Sequence, residues 1–186
     1  ANELQSSGYV RPKRYDEVAI LICDLVGFTG FCEKNDPELV VETLQGLVEK
    51  FEEAFTDHNL EKIKTVGDAI VAVSGLSSMD ESSVKNCVDC SYKLKDIANS
   101  YSMPWDLHVG IHFGSLVAGT IGKKTVQYDI LGKSVNIAFN ICDMSEANQI
   151  LISSDAWMTA RSEINVNSIG LKKLKSGQEV EILECK

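Results

Sequence analysis

From residue 16 onward the chain alternates short apolar runs with stretches whose apolar residues return every three or four positions. Residues 16–23 end in the unbroken run VAILIC and predict a buried strand. Residues 37–56 place Val40, Leu44, Leu47, Val48, Phe51 and Phe55 on one face and predict an amphipathic helix. Asp36 as N-cap and Pro37 at the first helical position mark its start. EKIKTV and AIVAVSGL predict two short strands joined at a hairpin tip made by Gly67 and Asp68. A helix over residues 80–99, N-capped by Asp80, comes next. DLHVGIHFG and SLVAGTIG then predict a second strand pair with a turn near Gly114. SVNIAFNICDMSE has a helical period, QILIS reads as a strand, SDAWMTAR as a short helix, and INVNSIGLKKLKSGQEVEILEC as two strands around a basic turn. No repeat, low-complexity run or long linker interrupts residues 15–186, so residues 1–15 read as a tail or linker and 16–186 as one domain.

Hairpins break up the strand–helix alternation. That favours an α+β sandwich with a mainly antiparallel sheet and helices packed on it over a doubly wound parallel sheet. Two acidic turns then fall at element ends, where sites tend to lie. In AILICDLVGFTG the apolar run stops at Asp24, just before Gly27. An ionised carboxylate is costly to desolvate unless a partner or metal compensates it, so Asp24 is either a capped strand end or a site. Asp68, in TVGDAIV, repeats the pattern. Two such carboxylates are either solvated turn residues or, if they meet in space, ligands for hard divalent cations. Backbone N–H groups around Val26, Gly27, Phe28 and Thr29, at the entrance to the following helix, would lie beside those cations and cradle a triphosphate. In outline this is a two-metal phosphoryl-transfer layout.

Composition narrows the ligand more than the fold. With 186 residues, 44% hydrophobic and 24% charged, the chain can bury a sizeable core. A formal charge of -9 and a pI near 4.8, with no basic stripe, exclude a nucleic-acid surface, so any nucleotide must be held by a local site. No apolar run approaches the roughly 18 residues of a membrane span. The polar opening ANELQSSGYVRPKRY, without an initiator Met, reads as the start of a soluble, cytoplasmic fragment cut from a longer protein. Cysteines at 23, 32, 87, 90, 142 and 185 are scattered, which suits a reducing compartment. The C-x-x-C pair in NCVDC lies in a predicted helix and lacks a second pair at zinc spacing, so Cys87 and Cys90 read as packing residues.

Four motifs in order, VAILICDLVGFTGF, EKIKTVGDAIVAV, LHVGIHFGSLVAGTIG and VQYDILGKSVNIA, resemble the catalytic domain of class III adenylyl and guanylyl cyclases over residues 16–184. The resemblance implies a ferredoxin-like α+β sandwich whose active sites form between two catalytic domains arranged head to tail. It implies that Asp24 and Asp68 bind two Mg2+ or Mn2+ ions per site. Lys64 in KIKTVGD and Asp129 in QYDILG fall where the family's adenylyl enzymes carry the base-selecting lysine and aspartate. Adenine offers an acceptor at N1 and a donor at N6, which match an ammonium and a carboxylate. Guanine presents the reverse pattern, so ATP is the expected substrate; the plainer alternative is a surface ion pair. The implied reaction is attack of the ribose 3'-oxygen on the α-phosphorus with loss of pyrophosphate, and Asn136 matches the asparagine that orients the ribose.

One helical turn beyond Asn136 the family usually carries a catalytic arginine, and this chain has Asn140. A neutral amide brings no charge, and losing such a contact costs on the order of a hundredfold or more in rate. His108 stands where many relatives have an arginine near the terminal phosphates, and as a lone strand histidine it reads as structural. The turn LKKLKSG lies where the family's late phosphate lysine occurs, with Lys172, Lys173 and Lys175 as candidates; Lys173 is placed in the site, neutralising the leaving pyrophosphate. Because one chain carries both metal aspartates and both base-reading residues, the expectation is a signal-transducing homodimer with two equivalent sites. Metals would sit on one protomer and Lys64, Asp129 and Asn136 on the other, with a regulatory domain outside these residues. Two rivals remain: a degenerate nucleotide-binding regulatory module with little turnover, which Asn140 favours, and a cyclase for another nucleoside triphosphate.

Overall fold

The structure, a computed structural model, describes residues 8–77 and 82–186. In chain order these form β1 (Lys13–Leu25), α1 (Phe28–Lys34), α2 (Pro37–Asp57), β2 (Glu61–Val66), β3 (Ala69–Ser74), α3 (Ser83–Ser100), β4 (Leu107–Ile121), β5 (Gln127–Leu131), α4 (Lys133–Met144), β6 (Ile150–Ser153), α5 (Ser154–Thr159), β7 (Val166–Lys173) and β8 (Glu179–Cys185). The strands make one sheet in the order β2-β3-β1-β4-β6-β8-β7, with β5 paired to β4 off that path. Every pairing is antiparallel except β4 with β6. Up to β4 the elements run β-α-β-β-α-β with spatial order β2-β3-β1-β4, the ferredoxin-like arrangement expected above.

Both faces of the sheet are covered, and β1 shows why its sequence is continuously apolar. Ala19, Leu21, Cys23 and Leu25 point into one cluster with Leu47, Phe51 and Phe55 of α2 and with Cys87, Cys90 and Leu94 of α3. Val18, Ile20 and Ile22 point the other way, to Val135, Ala138 and Cys142 of α4 and Ile130 of β5. Cys87 and Cys90 are fully buried packing residues, and all six cysteines are free thiols. The predicted face of α2 is the packed one, with Val40, Leu44 and Val48 at its edge. Pro37 opens that helix as expected, but the Asp36 side chain makes no capping hydrogen bond. No helix among the described residues is long and apolar enough to cross a membrane.

Two expectations change. Residues 107–121 form a single strand, not a hairpin turning near Gly114. The ladder with β1 passes from Val18↔Gly114 to Tyr15↔Leu116, so Asp16 and Glu17 of β1 face Ser115 alone. The extra residue makes a β-bulge, and a bulge bends a strand where the same glycine signal would suggest a turn. A Cβ on Gly114 would come within 2.4 Å of Ser134 Oγ, so the glycine serves close packing against the start of α4. The other change concerns α3, which begins at Ser83, while the expected cap Asp80 lies outside the described residues.

Candidate active site

β1 runs two residues further than its apolar run suggests, so Asp24 lies inside the strand, directly across from His108 of β4. Asp68 follows Gly67, at φ 62, in the two-residue turn between β2 and β3. Because β3 is the neighbour of β1, this turn comes to the end of β1, and Asp68 Oδ2 accepts a hydrogen bond from Leu25 N at 3.1 Å. Asp24 Oδ1 is buried and has no hydrogen-bond partner among the described residues. Burial pushes the Asp24 carboxyl from 3.8 up to about 6; the carboxylates of Asp68 and Asp143 push the same way, and His108 opposes them. An orphaned carboxylate oxygen beside a second carboxylate fits a hard divalent cation, whose charge offsets the cost of keeping both ionised. Among the described residues no group of three or more His, Cys, Asp or Glu gathers for a metal. A cation at Asp24 and Asp68 would therefore complete its shell with main-chain, water or phosphate oxygens.

Gly27 adopts φ 77 and leads directly into α1. Its neighbour Val26 is committed, its N–H donating to Asp106 O at 2.9 Å. The N–H groups of Phe28 and Thr29, in the first turn of α1, have no intrahelical acceptor and remain suited to an anion. The Phe28 ring is core, 5.9 Å from Trp105 and 6.1 Å from Phe31 between centroids, so only its backbone can serve a ligand.

Lys64 and Asp129 meet. Lys64 Nζ of β2 lies 2.8 Å from Asp129 Oδ1 of β5, with about a fifth of each side chain exposed. Asp129 Oδ1 also accepts from Ile130 N at 2.8 Å, which orients the carboxylate. On α4, Asn140 uses both ends of its amide: Nδ2 donates to Asn136 O at 2.7 Å, and Oδ1 accepts from Lys175 N at 2.9 Å. Lys175 Nζ is held by Asp143 Oδ2 at 2.7 Å. A cavity of about 440 Å3 opens there, lined by Lys133, Asn136, Asn140, Lys175 and Ser176. Lys175 is already paired with Asp143 and the Asn140 amide is engaged at both ends, which leaves Lys133 and Asn136 to receive an anion there.

The sequence model of the family described as "Adenylate and Guanylate cyclase catalytic domain" matches residues 10–183. The chain belongs to this cyclase family. Similar curated proteins include the receptor-type guanylate cyclase gcy-23 of Caenorhabditis elegans, 31% identical over 84% of this chain and 15% of that protein. The soluble guanylate cyclase gcy-31 of the same organism is 30% identical over 98% of this chain and 26% of its own length. The chain thus spans a quarter or less of most of the curated relatives it matches. Among solved structures, the guanylate cyclase domain of RhGC from Catenaria anguillulae, in complex with GTP, superposes with a TM-score of 0.90 at 18% identity, over 94% of this chain and 98% of that one. The adenylyl cyclase CyaB of P. aeruginosa gives 0.87 at 21% identity, over 95% and 96%.

Within this cyclase domain the residues singled out from sequence fall into three groups: Asp24 with Asp68 and the start of α1, Lys64 with Asp129, and Asn136 with Asn140. Among the described residues no hydrogen bond or ion pair links one group to another. Lys173 ends β7 opposite Glu179 and is exposed; Lys175, two residues on, is the lysine that reaches α4. Asp143 was not singled out from sequence. The spacing of 136, 140 and 143 on one helix face was the signal that could have found it. His108 Nδ1 lies 3.4 Å from Ser145 Oγ, which also donates to Cys142 O at 2.8 Å, and the residue stands across the ladder from Asp24.

Proposed function

We propose that this cyclase domain converts ATP to 3',5'-cyclic AMP and pyrophosphate at the interface of a head-to-tail homodimer. The choice of base rests on the Lys64–Asp129 pair, a cationic donor and an anionic acceptor side by side at 2.8 Å. Adenine asks for that combination, a donor toward N1 and an acceptor for the N6 amine. Asp24 and Asp68 would hold Mg2+ or Mn2+, two ions per site, and cations bound there supply the charge that acidifies the ribose 3'-hydroxyl and balances the phosphates. The N–H groups of Gly27, Phe28 and Thr29 bind triphosphate oxygens, and the Asn136 amide orients the ribose. Lys175 takes the pyrophosphate role that sequence alone gave to Lys173, since it is the lysine fastened to α4. Asn140 acts through it as a positioning residue. With no arginine at that point on α4, turnover is low.

The dimer is supported by exposed apolar side chains on the β4–β5 ribbon: Val117, Ile121, Val126 and Leu131, each 40–52% exposed. A second copy covering them would remove apolar surface from water and bring metals and base-reading residues from opposite protomers into one site. A guanylate cyclase is the second reading, favoured by the names of the curated relatives; Lys64 and Asp129 would then be a structural ion pair. The test incubates concentrated domain with Mn2+ and each of the four nucleoside triphosphates and quantifies cyclic products by mass spectrometry beside Asp24→Ala. Cyclic AMP lost in Asp24→Ala is the expected result. Cyclic GMP in its place would establish the second reading, and nucleotide binding without any cyclic product would make the domain a regulatory module.

A further inference from the structure

Residues 8–12 precede β1, yet they are fastened to the outer part of the β4–β5 ribbon. Val10 N donates to Thr120 Oγ1 at 3.1 Å, Thr120 N donates to Val10 O at 3.0 Å, and Thr120 Oγ1 lies 3.1 Å from the same carbonyl oxygen. Thr120 is only 7% exposed, so its hydroxyl is committed to this contact. One residue back, a Cβ on Gly119 would stand 2.7 Å from Pro12 Cα, so the lead segment lies directly on the backbone of β4. The β1 ladder reaches β4 only as far as Lys13↔Ala118, and beyond it Val10 takes the place of a neighbouring strand.

The opposite edge of these same β4 residues carries β5. Gly119 is paired with Asp129, and Thr120 with Tyr128. Asp129 then reaches Lys64 on β2. A two-stranded ribbon holds its position poorly by itself, and a hydrogen-bonding pair that reads a base tolerates little displacement. We propose that Val10 and Thr120 form a strap that sets the position of the β4–β5 ribbon, making Thr120 a positioning residue for base selection by Asp129. This rests on the reading of Lys64 and Asp129 as the base-selecting pair; the strap itself does not.

The test compares Thr120→Val, which keeps shape and loses the hydroxyl, with Thr120→Ser, which keeps the hydroxyl. Binding of 3'-deoxy-ATP and 3'-deoxy-GTP, which cannot cyclise, is measured by calorimetry in each variant. Hydrogen exchange of residues 127–131 is followed without nucleotide. Thr120→Val should change the ratio of the two affinities about fivefold, the size of one lost hydrogen bond, and should quicken exchange in β5; Thr120→Ser should do neither. Val10→Pro, which removes the donor without touching β4, should reproduce Thr120→Val. Unchanged exchange in β5 in folded Thr120→Val and Val10→Pro, or equal effects in Thr120→Ser, would overturn the strap. Quickened exchange with an unchanged affinity ratio would uphold the strap and overturn its role in base selection. A wild type that prefers the guanine analogue would refute the adenine reading alone.

Discussion

At Gly110 the sheet lies against the backbone of the helix bearing Asn136 and Asn140, and replacing it by alanine tests whether that contact sets the site. A Cβ there would lie 2.3 Å from Cys142 N, 2.8 Å from Ala138 O and 2.8 Å from Cys142 Cα, all backbone atoms of α4. No rotamer change relieves a clash with backbone, so α4 must retreat by about 1 Å to restore ordinary contact distances. The helix buries Val135, Ala138 and Cys142 against one cluster and Ile137 and Ile141 against another, so the retreat loosens both. Overpacking of this kind costs about 1–3 kcal/mol, and the rigidity of the obstacle puts Gly110→Ala at or above the upper end. It also moves Asn136 and Asn140, and a shift of about 1 Å can cost on the order of a hundredfold in rate. Urea unfolding followed by circular dichroism reads the first effect, and kcat/KM measured where the variant is fully folded reads the second. Gly30→Ala is the control: Gly30 lies within α1 with nothing near a new Cβ, so it should be neutral or more stable by up to about 1 kcal/mol. An unchanged urea midpoint in Gly110→Ala would refute the packing argument. A lowered midpoint with full kcat/KM would refute the claim that the seat of α4 sets the site.

His112 is 3% exposed on β4, with Nδ1 2.7 Å from Ser153 Oγ, and burial lowers its pKa from 6.5 to about 4. Between those values the unfolded chain binds the proton and the folded chain does not, so stability is full above the unfolded pKa and falls as the pH drops toward 4. The His112 contribution to that loss between pH 7 and pH 5 should be about 2 kcal/mol, partly offset by Asp24, whose raised carboxyl acts with the opposite sign over the same window; the difference between wild type and His112→Gln in urea titrations at the two pH values isolates it. Asn140→Ala removes the acceptor of the Lys175 backbone N–H, leaving Lys175 on α4 through Asp143 alone, and should lower kcat by about tenfold, with little change in melting temperature because the residue is not part of the packed core. A melting temperature that falls in step with the rate would make Asn140 purely structural.

Periodicity and turn chemistry are local, and what depends on them alone was legible in the chain. The apolar run of β1, the packed face of α2 and the Gly67–Asp68 hairpin tip are set by neighbours a few residues away, and the structure contains each of them. The acidic ends at Asp24 and Asp68 were visible for the same reason. Their meeting is a property of the β1–β3 ladder, which joins residues 47 to 55 positions apart in the chain. The strand β4 was misread because a glycine looks alike in a turn and in a bend; the bulge at Asp16 and Glu17, on another strand nearly 100 residues earlier, decides between them. Lys172, Lys173 and Lys175 are equivalent as a run of charges. Only the docking of the β7–β8 turn on α4 separates Lys175, whose backbone N–H meets Asn140, from Lys173, which faces Glu179. The sequence by itself determined the elements and the kinds of group they carry, because those follow from short-range sterics and amphipathic period. Which groups share a site was decided by tertiary structure alone, because sheet order and helix docking bring together residues that no local pattern connects.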